Sequence, residues 1–111
     1  MINFSHLDSL TDLLGKSVIN QIRLDYEEDS TQKMIGLEEA WNTKDYEQLQ
    51  HISHSLKSSS LNMGMQFFAA KCQCIENAAG QKNELDIANV MDGLSEIHQQ
   101  SLKELQAYFI D

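Results

Sequence analysis

The sequence contains no proline. Proline locks φ, removes a backbone donor and breaks helix interiors, so a chain without it is free to run long helices uninterrupted. Glycine is scarce as well: there are five, most of them where one helix would end and the next begin. The only cysteines are Cys72 and Cys74. Two positions apart on a helix, they point to nearly opposite sides and cannot pair with each other. No apolar run approaches the ~20 residues of a membrane span, and no charged-apolar-small leader stands at the start. The expectation is a reduced, cytoplasmic protein that does not enter a membrane. Basic residues are few, 8 against 17 acidic ones, for a net charge of −9. That balance cannot neutralise a phosphate backbone, which excludes a nucleic-acid partner and favours protein partners with basic rims.

What is present is helical periodicity. A chain of 111 residues is expected to form one domain over 1–111, burying roughly two-thirds of its unfolded surface without disulfides or metal. Phe4, Leu7, Leu10 and Leu14 predict a short first helix ending near Gly15. Ile19, Ile22, Tyr26, Met34, Leu37 and Trp41 predict a second from about Ser17 to Trp41, with a gap in the stripe around Ser30. Gly36 inside it lowers helix propensity by roughly 1 kcal/mol relative to alanine. Asn42 or Thr43 is the expected cap of a third helix, with Asp45 and Glu47 in its first turn. This helix would bury Tyr46, Leu49, Ile52 and Leu56 and stop at Gly64, a residue suited to a left-handed turn. A fourth, Met65 to about Ala79, presents Phe68, Cys72 and Ile75 and closes at Gly80. A fifth carries Ile87, Val90, Met91, Leu94, Ile97, Leu102, Leu105 and Phe109. The expected fold is all-α: an antiparallel up-down four-helix bundle with the short first helix as a cap.

The chemistry concentrates in "HISHSLKSSSLNMG", residues 51–64. With Leu49, Ile52 and Leu56 on the core side, His54 lies about 200° around the helix from Ile52 and points to solvent. Glu47, Gln50 and His51 flank it on one side, and Lys57, Ser58 and Leu61 on the other. The third and fourth helices turn back at Gly64 and Met65, and positions 54 and 76 are equidistant from 65. Glu76 is therefore expected beside His54, accepting a hydrogen bond from one ring nitrogen and leaving the other free. A neutral imidazole is a competent nucleophile toward phosphorus, and an ordinary histidine is largely neutral at pH 7. Lys57 would attract the phosphoryl group, and small Ser58 would let a partner close over the ring. The sequence has no glycine loop to cradle phosphate and no carboxylate pair for magnesium, so the partner is expected to bring the catalytic machinery.

"HSLKSSSLNMG" resembles the signature of histidine phosphotransfer (HPt) domains, His-x-Leu-Lys-Gly-Ser-Ser with a glycine ten residues after the histidine. His54, Leu56, Lys57, Ser59, Ser60 and Gly64 fall on that pattern, and length and helix order agree over nearly the whole chain. Ser58 departs from it, standing where the family has glycine. The resemblance implies a phosphorelay intermediate that accepts a phosphoryl group from one receiver-domain aspartate and passes it to another. It implies His54 as the phosphorylated residue, Lys57 as its helper cation and Glu76 against the ring. Gln50, His51, Ser58 and Leu61 would then dock the receiver and Gly64 would form the turn. No cofactor is expected on this chain, since magnesium would belong to the receiver, and a monomer is expected.

Blander readings stand beside this one. Ser59 and Ser60 lie nearer the core and are expected to be small packing residues. Cys72 is expected in the core, and His6 and His98 at the surface. Glu47, His51 and His54 share a face but offer no evident fourth ligand, a poor metal site. The competing function is a helical adaptor that binds a partner without carrying phosphate.

Overall fold

The computed structural model describes residues 1–110; Asp111, the last residue of the expected 1–111 domain, lies outside them. The described chain is all-helical, without strands: α1 (Phe4–Leu14), α2 (Lys16–Asn42), α3 (Tyr46–Asn62), α4 (Gln66–Gly80), α5 (Glu84–Met91) and α6 (Leu94–Phe109). The single last helix expected from the sequence is two. Asp92 is extended and Gly93 adopts a left-handed conformation at φ +80°, so the chain turns between Met91 and Leu94. An Asp-Gly pair is a turn signal that the continuous apolar pattern on either side obscured.

The cap of α3 also differs from expectation. Asn42 is still helical in α2, and the Thr43 hydroxyl donates to the Glu39 carbonyl at 3.0 Å, which commits it to the end of α2. Asp45 caps α3 instead, accepting the Gln48 N–H at 3.1 Å. Gly64 makes the α3–α4 turn at φ +74°. Its carbonyl accepts the Asn3 N–H at 2.7 Å, and a Cβ there would come within 3.0 Å of the Asn3 carbonyl oxygen. Conformation and crowding both demand glycine at this position.

The α3–α4 hairpin is the most extensive contact in the fold. Helix α2 packs on α3 and α6, and α4 on α6, so these four helices touch in a closed ring. Helix α5 leans on α4 and α6, and α1 on α2. Leu37, Leu49, Leu56, Phe68, Ile75, Leu94 and Leu105 fill the interior. Cys72 is buried with them, and burial, with a smaller contribution from Cys74, pushes its thiol up to about 12, so it is an inert core residue. Phe4, Leu14 and Ile22, expected on apolar faces, are exposed; Leu7 and Ile19 carry the burial there. No described helix is long and apolar enough to cross a membrane.

The interior also holds polar groups that the apolar pattern passed over. His98, expected at the surface, is buried, and its Nε2 lies 2.9 Å from Ser30 Oγ. Its ring packs against Phe68 with centroids 4.9 Å apart. The gap in the α2 stripe is thus not a gap: Ser30 occupies it and meets the histidine from α6. Ser60 is buried as well, 2.7 Å from the Tyr26 hydroxyl.

Candidate functional site

Along α3 the buried positions are Leu49, Ser53, Leu56 and Ser60, in steps of four, three and four. That phase turns His54 outward, and its side chain is 59% exposed. Helix α4 buries Cys72, Ile75 and Ala79 by the same spacing and turns Gln73 and Glu76 toward α3. The hairpin at Gly64 brings the two polar faces to the same height.

Glu76 sits at the centre of the resulting cluster. Its Oε2 is 2.7 Å from His54 Nδ1, and its Oε1 accepts the Lys57 ammonium at 2.9 Å. Partial burial by itself would raise this carboxyl. The Lys57 and His54 hydrogen bonds and nearby positive charge outweigh it and hold Glu76 below the ordinary carboxylate range. An ionised carboxylate only accepts hydrogen bonds, so Nδ1 of His54 carries the proton. In the neutral ring the lone pair then belongs to Nε2, and among the described residues that nitrogen has no hydrogen-bond partner. The arrangement is a ring nitrogen facing solvent, with an anion behind the ring and a cation on the other arm of that anion.

The remaining expected residues surround the ring without bonding to it. A groove of about 510 Å³ lined by Glu47, Gln48, Gln50, His51, His54 and Glu76 opens beside it. Gln50 rests against the α4 backbone, where a Cβ on Gly80 would fall 3.2 Å from its amide nitrogen. Ser58 and Leu61 lie exposed further along α3, Leu61 at 48%. Ser59 donates to the Ser55 carbonyl at 3.1 Å and Ser60 meets Tyr26, so both hydroxyls are used within the fold. Among the described residues no three His, Cys, Asp or Glu side chains converge as metal ligands. His6 is half-buried and reaches the Asn62 carbonyl at 2.9 Å, which ties α1 to the end of α3.

Sequence reasoning missed one member of the cluster. Gln73 Oε1 accepts the Lys57 ammonium at 2.8 Å. Its position three residues before Glu76 places it on the same face of α4, and that spacing was the available signal.

The model of one protein family, the Hpt domain, matches residues 21–108. The chain belongs to the Hpt domain family. It is accordingly a histidine phosphotransfer protein of a phosphorelay, a phosphocarrier rather than a classical enzyme, and it interacts with receiver domains. The fold is similar to the crystal structure of histidine-containing phosphotransfer protein B (HptB) from Pseudomonas aeruginosa PAO1, with a TM-score of 0.80. That similarity covers 97% of this chain and 93% of the other at 21% sequence identity, a likeness of Hpt architecture. No curated protein matches the chain.

Proposed function

We propose that His54 is the phosphoryl-bearing residue, taking the group from one receiver-domain aspartate and giving it to another. The observation that carries this is the 2.7 Å bond from Nδ1 to an ionised Glu76, which leaves the Nε2 lone pair in the open. In the forward step Nε2 attacks phosphorus, an N–P bond forms, and the P–O bond to the aspartate breaks. The aspartate carboxylate leaves with the electron pair. The ring, still protonated at Nδ1, gains positive charge, and Glu76 is in place to stabilise it. Lys57 offers charge to the phosphoryl oxygens. Transfer onward is the same sequence reversed, with magnesium supplied by the receiver in both directions.

Gln50, His51, Ser58 and Leu61 form the rim on which receivers dock, and Ser58 in the place of glycine adds a hydroxymethyl group at that contact. The closed ring of α2, α3, α4 and α6 is read as an antiparallel up-down four-helix bundle, with α1 as its cap, in a single domain that works as a monomer. Free thiols at Cys72 and Cys74 suit a cytoplasmic setting.

The test is transfer of labelled phosphate from phosphorylated receiver domains of the same cell to this protein and to a His54→Gln variant. An acid-labile, base-stable label on the wild type alone is expected. Label on both proteins would move the acceptor elsewhere. Binding of receivers without label on either would make the chain an adaptor.

A further inference from the structure

Lys57 is held from two sides, and only one of them is Glu76. The ammonium has three protons; Glu76 Oε1 accepts one at 2.9 Å and Gln73 Oε1 another at 2.8 Å. A lysine can only donate, so the Gln73 amide must present its oxygen to Nζ. Its NH2 group then faces the other way and donates to Asn77 Oδ1 at 2.9 Å. Asn77 lies one turn on from Gln73 along α4 and fixes the orientation of the amide. A four-carbon stem with several free torsions thereby ends in one place, with its third N–H unclaimed among the described residues.

Resting on the reading of His54 as the phosphoryl acceptor, we infer that Gln73, oriented by Asn77, is the positioning residue for Lys57. It keeps the ammonium beside the His54–Glu76 pair with one donor left for the incoming phosphoryl oxygen. Glu76 alone would hold Lys57 by a single bond and leave its stem free to swing, at a cost in orientation when the phosphoryl group arrives. Gln73 touches neither the ring nor the phosphoryl group, and its whole effect passes through Lys57.

The consequence is a pattern of non-additivity. Phosphoramidate serves as a small phosphodonor that needs no receiver, and the rate of N–P bond formation is followed by phosphorus NMR. Gln73→Leu is expected to slow the wild-type rate about 3- to 10-fold, and Gln73→Glu, which keeps an acceptor, to restore most of it. Lys57→Met with Gln73→Leu is expected to be no slower than Lys57→Met alone. A nitrogen NMR signal from the Lys57 ammonium should be resolved in the wild type and lost in Gln73→Leu, while the His54 ring signals keep their tautomer pattern. A wild-type rate in Gln73→Leu, or a further loss in the double variant, would overturn the inference. So would an unchanged ammonium signal, a readout that does not depend on transfer. A wild type that takes no phosphate, with the ammonium signal behaving as expected, would instead sink the assignment of His54.

Discussion

Two histidines of this chain show how the same side chain is put to opposite uses. His54 stands on the outer face of α3, 59% exposed, with a carboxylate on one nitrogen and, among the described residues, nothing on the other. His98 stands on the inner face of α6, 4% exposed, with Ser30 on Nε2 and the Phe68 ring against its plane. Burial lowers the affinity of His98 for a proton, and the nearby Glu27 carboxylate only partly opposes that effect. The first ring is presented to solvent and the second is packed in the core. What separates them is the neighbour each meets: an ionised acceptor at the rim for one, a hydroxyl in the core for the other.

The sharpest way to break the comparison is on α3 itself. Leu56, two residues beyond His54, is fully buried. Leu56→Ala is expected to cost about 2–5 kcal/mol in urea unfolding. A cost near zero would mean that the inner face of α3 does not anchor the helix that presents the ring.

The second test reads His98 through pH. Its folded value lies below that of an exposed histidine, near 6.5 in the unfolded chain. As pH falls past that point the unfolded state binds the proton first, so stability declines from about pH 7 downward, by at most about 1.4 kcal/mol per pH unit. The decline ends once the folded form also protonates. Unfolding curves at pH 7.5 and 5.5 should show this component in the wild type and lose it in His98→Leu. An identical slope in both proteins would assign it elsewhere.

The smallest expected effect is on His54. Replacing an exposed ring disturbs no packing, so His54→Gln should leave the unfolding free energy within about 0.5 kcal/mol of wild type. A loss of several kcal/mol would make His54 a structural residue like His98, and the contrast would collapse.

The same pair shows what was legible in the sequence. The His54 site could be read because the hairpin is nearly symmetric about Met65, which brings position 76 beside position 54 without knowledge of any other helix. Its exposure followed from the phase of Leu49 and Leu56. His98 was hidden because the most apolar face of α6 is not the face it buries. The buried positions are Leu94, His98, Ser101 and Leu105, in steps of four, three and four, and two of them are polar. Ile97 and Leu102, the more apolar choices, are only partly buried. Ser30 was passed over on α2 for the same reason. Two polar residues standing on the stripes of different helices were the signal that they meet. Gln73 was missed for another reason: its spacing from Glu76 marks the shared face of α4, but the contact with Lys57 depends on side-chain reach, which spacing does not encode.

The polar bonds between helices have one more effect. Tyr26 and Ser30, one turn apart on α2, reach Ser60 on α3 and His98 on α6. An apolar interface alone would tolerate a helix sliding by one turn, about 5.4 Å, because one leucine packs much like another. Here such a slide would break both contacts at once and take Tyr26, Ser60 and His98 away from their buried partners, at about 1–3 kcal/mol each. The side of the molecule away from the His54–Glu76 pair therefore sets the register of α2 against two neighbours, and the height at which α3 presents the His54 ring is fixed from behind.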